Sequence, residues 1–407
     1  MSKRRLDGLA ATNFKIQGVW FLKIAYVSPY DWSVPSGVNN HIYKLANIMR
    51  ELGHDVDIIA PASHESAGEV VNILGKPVSL SVSGSQARIV INPKEILSIK
   101  DIFSSSQFDL IHYHEPLMPL VSLMALHYSK KFIPHVVNIG TFHATREKGN
   151  LMYFLGNRLL KKYMERLDGK IAVSSSAKDY VSRYFPDSYE IIPNGIDTDT
   201  WDDPDLSPID SLKGDDRVNI LYVGRAEKRK GLGVLLDAFH IVNRTRPSVR
   251  LIVVGPDSER RRKYKENIIS SGLGEDIVWV TNPTNEELPR YYRSADLFVS
   301  PATGNESQGY VLMEAMSAHL PVIASDIAGY SYVVRNEKEG ILVPAEDVTA
   351  LSAAMIRLVD SPILRRHLGE NGRARVAEFD WSRISTRITD YYQNLLLEKG
   401  DAPISGE

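Results

Sequence analysis

From Lys23 onward, short apolar runs rich in β-branched residues take turns with segments of helical spacing, and the chain goes through this cycle twice. No other feature limits the fold as strongly. Strands joined by crossover helices build a parallel sheet with helices on both faces. In the first half the expected strands are Lys23–Ser28, Asp55–Ala60, Asp109–His112, Val136–Ile139 and Lys170–Val173. Between them lie Val38–Leu52, with apolar residues at helical spacing and Gly53 as its stop, then Met118–Tyr128, Leu151–Leu167 and Ala177–Tyr184. The stretch Ile192-Pro193-Asn194-Gly195-Ile196-Asp197, with the Pro- and Asp-rich residues up to Asp216, reads as a linker. The cycle then restarts with strands at Val218–Val223, Val249–Val254, Ile277–Val280, Leu297–Val299, Val322–Ala324 and Ile341–Val343, separated by helices such as Gly233–Arg244 and Leu288–Ser294. The expected architecture is α/β, with two doubly wound Rossmann-like domains facing each other across a cleft. Residues 1–20 form a tail, 21–193 the first domain and 194–380 the second; 381–407 hold a final amphipathic helix, Trp381–Leu397, that suits either domain.

The totals agree. A chain of 407 residues is too long for one simple core. A net charge of -2 argues against general nucleic-acid binding. With no cysteine, disulfides, thiolate nucleophiles and cysteine-ligated metals are excluded, which fits a cytoplasmic location. No apolar run reaches the roughly 18 residues that span a bilayer. Lys23 interrupts Val19–Val27 and no small-residue cleavage site follows, so a signal peptide is not expected.

Open α/β sheets bind ligands beyond the C-terminal ends of their strands. The polar punctuation sits there. The richest stretch is Gly304–Ala318, GNESQGYVLMEAMSA, with Glu306 and Glu314 eight residues apart. A turn through Ser307, Gln308 and Gly309 runs into a helix beginning near Tyr310 and Val311, whose free N–H groups favour an anion. Carboxylates there suit the hydroxyls of a sugar joined to a phosphate. After the first strand of the same domain comes GRAEKRKG, where Arg225 and Lys230 flank a glycine-bounded turn and read as a diphosphate clamp. Together these describe a nucleoside-diphosphate-sugar site: Arg225 and Lys230 on the diphosphate, Glu314 on the ribose, Glu306 on the sugar, and the strand end at Val280 and Thr281 for the base. The first domain offers Ser28-Pro29-Tyr30 and Pro35-Ser36-Gly37-Val38-Asn39, where Gly37 admits close approach of a ligand. It also offers Gly140-Thr141-Phe142-His143-Ala144-Thr145, where His143 faces the crevice. Each of these, taken singly, also reads as an ordinary turn or helix; the set within one chain is what argues for a site. His112, His114, Glu115 and His127 look metal-like, but lack a further ligand nearby and read as structural. The basic run Arg260–Lys265 reads as a solvated helix face.

These motifs resemble the retaining glycosyltransferases of family four, which have the GT-B fold. The resemblance covers Lys23 to about Leu397 and rests on the ordered set: the Ser36-Gly37-Val38 loop, the Pro193-Asn194-Gly195 hinge, GRAEKRKG and the Glu306/Glu314 spacing. YVSPYDWSVPSGVNNH, LIHYHEP, TFHAT and the stretch from Val82 to Arg88 are most similar to the bacterial branch that mannosylates phosphatidylinositol. The resemblance implies GDP-mannose as donor and a phosphatidyl-inositol or similar inositol acceptor. Gly37, Arg225, Lys230, Val280, Glu306, Gly309, Tyr310, Val311 and Glu314 would bind the nucleotide sugar. Ser85 and Arg88 would meet the acceptor phosphate, Asn39 and Thr145 its ring, with Tyr30 and Thr141 on the same side; His143 would assist at the transferred sugar. The branch has glutamine where Asn39 stands and one more residue in the Arg225–Lys230 loop. Its membrane-facing helix is markedly basic, whereas 92–101 balances two lysines against Glu95 and Asp101. Membrane contact here would rely on Ile96, Leu97 and Ile99, giving a peripheral protein on the inner face of the plasma membrane.

The implied chemistry is hexose transfer with retention, through front-face departure of the diphosphate. The two cations make a metal unnecessary, and loosely bound Mg²⁺ is compatible with the scheme. The alternatives are a UDP-sugar-dependent transferase with another acceptor, a nucleotide-sugar epimerase of the same architecture, or a silent sugar-nucleotide binder. A nicotinamide dehydrogenase is disfavoured, because G-x-G-x-x-G is missing.

Overall fold

The computed structural model describes residues 15–16, 19–34, 36–63, 71–74, 78–82, 85–89, 95–146 and 149–400. It contains the two expected parallel sheets. The first runs Glu190–Ile191, Gly169–Ala172, Val137–Phe142, Leu110–His114, Lys23–Val27, Asp55–Ala60, Val71–Ile73. The second runs Ile277–Thr281, Val249–Gly255, Val218–Val223, Leu297–Ser300, Val322–Ser325, Gly340–Val343. In each domain the chain builds outward from its first strand, returns to pair the fourth strand against the first, and continues the other way. A doubly wound sheet opens its ligand crevice at that reversal. The fourth strand, Leu110–His114, is buried at all five positions, as expected of a strand with helices on both faces. The edge strands Val71–Ile73 and Glu190–Ile191 were not foreseen: three and two residues are too short to carry a period.

Two element boundaries differ from expectation in ways that matter for the site. The strand expected to end at Ile139 continues to Phe142, so His143 is the first residue beyond it. The helix expected from Met118 begins at Val121, because Leu120 turns the backbone to φ 63.

The last helix, Trp381–Gly400, packs on the first domain. Trp381, Ile384, Ile388, Tyr392 and Leu395 share a core with Ile24, Tyr26, Leu110 and Ile139. Tyr391 accepts a hydrogen bond from the Lys170 amide at 2.9 Å, and Lys399 pairs with Asp168 at 2.7 Å. The chain therefore crosses between domains twice, and the two crossings are tied together. The Ile196 amide donates to Phe379 O at 2.9 Å, and the Trp381 amide to Ile196 O at 3.1 Å. Gly195 lies under the Trp381 indole so closely that a Cβ would come within 2.4 Å of the ring.

Candidate active site

In the second domain the loops after the first and fourth strands meet. A 3₁₀ turn, Lys228–Lys230, is closed by Gly231 at φ 72, where a Cβ would stand 1.8 Å from Pro301 O. The Thr303 amide donates to Arg229 O at 2.8 Å. These contacts bring the basic turn against the acidic one. Lys230 Nζ lies 2.7 Å from Glu306 Oε1, and Arg229 pairs with the same oxygen. Arg229 Nε also reaches Glu227 Oε2 at 2.9 Å, and Glu227 Oε1 holds Arg225 at 3.1 Å. The expected clamp was Arg225 with Lys230. The structure brings Arg229 and Lys230 directly onto Glu306, while Arg225 is exposed and, among the described residues, joined through Glu227. Arg229 and Glu227 were missed; which cations of a four-cation turn face inward depends on how the turn packs on Pro301.

Glu314 sits in the helix Tyr310–Ser317, which starts after Gly309 at φ 78. A Cβ on Gly309 would lie 2.6 Å from the Tyr330 ring. The Glu314 carboxylate accepts from the Tyr292 hydroxyl at 2.6 Å. Burial pushes its pKa up to about 7, against the opposing pull of Tyr292 and of the Lys230 ammonium. Lys230 thus pairs with Glu306, and its charge opposes the rise at Glu314 without reversing it. Buried Gln308 joins this turn to the hinge: its Oε1 accepts from the Asn194 backbone and side-chain N–H groups at 2.8 and 2.9 Å, and its Nε2 donates to Asn194 O at 3.1 Å.

Across the cleft, the helix Gly37–Glu51 is capped by Ser36, whose hydroxyl accepts from the Asn39 amide at 3.1 Å. A Cβ on Gly37 would lie 3.4 Å from the Tyr310 ring, so the two halves touch here. Ser176 donates to Ser307 O at 3.3 Å. Behind this contact four histidines pack together. His112 and His114 stack with ring centroids 4.5 Å apart, His114 Nδ1 lies 2.9 Å from His143 Nε2, and His41 sits edge-on to both His114 and His143. Burial drives all four pKa values down, to about 3 for His112 and His143. All four are therefore neutral at pH 7. Glu115, at φ 55, bends back so that one oxygen accepts from the amides of His143 and Ala144, both at 2.7 Å. Among the described residues, no three histidine, aspartate or glutamate side chains are placed to hold a metal ion.

Two family descriptions match the chain: "Glycosyltransferase Family 4" over residues 35–200 and "Glycosyl transferases group 1" over residues 205–375. The phosphatidyl-myo-inositol mannosyltransferase of Mycobacterium leprae is 33% identical over 92% of this chain and 97% of its own. The chain belongs to glycosyltransferase family 4. The phosphatidyl-myo-inositol mannosyltransferase of Propionibacterium freudenreichii is 31% identical over 93% of this chain and 98% of its own. Among solved structures, Anabaena HepE in complex with UDP superposes with a TM-score of 0.76 at 16% identity, covering 92% of this chain and all of that one, which supports the GT-B fold. This chain is a GT-B glycosyltransferase.

Several residues expected at the site of this glycosyltransferase are committed elsewhere. Asn39 donates both amide hydrogens within its own loop, to Asp31 O at 2.8 Å and Val34 O at 3.3 Å, and accepts from Ser28 at 2.9 Å. It braces the loop rather than presenting a free amide to an acceptor ring. Thr141 is buried, with Oγ1 2.6 Å from His112 Nε2, beneath the cleft instead of on it. The Thr145 hydroxyl donates to Ser176 O at 3.2 Å. Tyr30 is half-buried, its hydroxyl pushed up by burial and by the Glu115 charge. Val280 O accepts from Arg261 at 2.7 Å. Arg261 also corrects the reading of its helix as wholly solvated: it is buried and donates to Gly255 O and Val253 O at the strand ends. Val311 is half-buried in the first turn after Gly309. Ser85 and Arg88 lie on the strand Ser85–Ile89, paired antiparallel with Val78–Val82, and their side chains are outside the described residues, as are Pro35, 83–84, 91–94 and the tail 1–14. The membrane role given to Ile99 is overturned, because it is 1% exposed in the core of the first domain.

Proposed function

We propose that this enzyme moves mannose from GDP-mannose to a hydroxyl of a phosphatidyl-inositol-type acceptor, with retention at the anomeric carbon. The observation that carries the reading is the Lys230 ammonium held 2.7 Å from Glu306, in the turn leading into the helix that carries Glu314 and whose Tyr310 meets Gly37 across the cleft. Relatives at 31 and 33% identity named phosphatidyl-myo-inositol mannosyltransferase support the sugar and the acceptor class.

The second domain would hold the donor. Lys230 and Arg229, with Arg225 further out, face the diphosphate; Glu306 accepts hydrogen bonds from the hexose and Glu314 from the ribose. The acceptor oxygen bonds to the anomeric carbon on the face from which the diphosphate departs. The electron pair of the broken carbon–oxygen bond leaves with the diphosphate, which also takes the acceptor's proton. Cations placed where that charge develops lower the barrier most. A neutral His143 donates or accepts a hydrogen bond to a sugar hydroxyl and is not a proton shuttle at pH 7. No step passes through a metal, and Mg²⁺ carried on the diphosphate is compatible with the scheme. The enzyme would act peripherally, on the inner face of the plasma membrane.

A thermal-shift series with GDP, UDP and ADP tests the donor, since a ligand that binds only the folded state raises the melting temperature. GDP should give the largest shift; an equal or larger shift with UDP overturns the guanine reading. Phosphatidylinositol vesicles with GDP-mannose should then yield a mannosylated lipid. Conversion of the donor without acceptor would instead indicate an epimerase.

A further inference from the structure

We propose that the outward side of the helix Leu151–Met164 is the surface by which this protein seats on an anionic bilayer. The inference rests on the lipid acceptor proposed above. Leu151, Phe154, Leu155 and Leu159 are 69, 71, 73 and 60% exposed. Leu151, Leu155 and Leu159 follow at four-residue spacing and so form one stripe, with Phe154 beside it. The helix does not need them for its own packing. Tyr153, Leu160 and Met164 are buried and join the first domain's core. The helix is thus apolar on both sides, and among the described residues only one side is covered.

The charges nearby name the occupant. Arg158, Lys161 and Lys162 are exposed among the apolar side chains, and no aspartate or glutamate occurs from Gly149 to Met164. The exposed C-cap Glu165 stands against these three cations, and an apolar stripe edged by an excess of cations matches a lipid interface with anionic headgroups. A symmetric contact with a second copy would set those cations against their own kind. Position agrees as well. The helix starts eight residues after His143, and Asn150 at its N-cap is pinned by Tyr184 and Tyr180 at 2.7 and 2.8 Å. A hollow of about 300 Å³, lined by Gly149, Asn150, Leu151, Phe154 and Tyr184, opens at that end. A lipid whose headgroup enters the cleft can leave its tails on this side. Among the described residues no helix is long and apolar enough to cross a membrane. The alternative helix, Glu95–Ser105, offers Leu97 at 59% exposure while Ile99 and Phe103 face inward at 1%.

The test is co-sedimentation of the full chain with vesicles of phosphatidylglycerol and phosphatidylcholine, compared with phosphatidylcholine alone. Binding should need the anionic lipid. The double variant F154S/L155S should bind at least about tenfold more weakly, and K161E/K162E by about fivefold per cation removed. Leu97→Ser should bind as the unmodified protein does. The GDP thermal shift should be unchanged in every variant, which separates a lost surface from a lost fold or donor site. If GDP gives no shift while vesicle binding behaves as described, the donor reading fails and the surface stands. Undiminished binding of F154S/L155S, no vesicle binding by the unmodified protein, or a lipid-free dimer dissolved by F154S/L155S would each overturn the proposal.

Discussion

On the second domain's side the cleft is lined by charges that hold one another: Arg225, Glu227, Arg229, Glu306 and Lys230 form one connected chain of ion pairs. On the first domain's side four histidines are buried together and kept neutral. The contrast suits what the proposed transfer would ask of each wall. A wall that receives an expelled diphosphate needs cations, and Lys230 and Arg229, mostly buried, are paired with carboxylates that offset their desolvation. A wall that positions an uncharged hydroxyl needs shape and hydrogen bonds, and can be dry. One molecule thereby keeps two dielectric environments on the two sides of one cleft.

The contrast can be broken by experiment. The largest effect is expected from Lys230→Ala, which should lower the transfer rate by about 10²–10³ while leaving circular dichroism unchanged. A loss below tenfold would mean that the ammonium is not the centre of the charged wall. The neutral wall should announce itself in acid. The histidines hold folded-state pKa values below the ordinary 6.5, so the unfolded chain binds more protons. Stability should be complete above pH 6.5 and fall as pH drops toward 3, by up to about 1.4 kcal/mol per unit for each histidine. Urea unfolding at pH 7, 6 and 5 would measure it, and a flat response would refute the neutral cluster. Gly195→Ala tests the seam between the walls. A Cβ driven into the Trp381 ring should cost about 1–3 kcal/mol, read as a lowered urea midpoint.

The smallest effect is expected from Glu314→Gln. With its pKa raised to about 7, Glu314 favours the folded protein at low pH, and that contribution is lost as pH rises from 4.5 through 7. Donor affinity should move the opposite way, since on the proposed reading the ionised form would accept the ribose hydroxyls. GDP binding should strengthen about tenfold from pH 6 to 8 in the unmodified protein and stay level in the glutamine variant.

The charged wall was largely legible in the sequence, and the neutral one was not. Strand ends marked by GRAEKRKG and GNESQG point to a loop-borne site, because loops at those ends have few other duties. What escaped was the choice between Arg225 and Arg229, decided by the contact of Gly231 with Pro301. The histidine cluster is scattered over 41, 112, 114 and 143. It assembles because the parallel register sets His112 beside Ile139 and His114 beside Thr141, and register is a tertiary fact. Glu115 was read as structural beside the histidines, but its partners were hidden, since they are amides 28 and 29 residues away. The domain that would receive Trp381–Gly400 was equally hidden, because an amphipathic helix advertises a greasy side without an address.

That address has a consequence for biosynthesis. A ribosome releases the second Rossmann unit whole, but the first must wait, nearly finished, until the 20 residues of Trp381–Gly400 emerge to close its core. Truncating the protein near position 380 would therefore wound the half made earliest. A chaperone bound to the nascent chain should linger on that half while its neighbour folds.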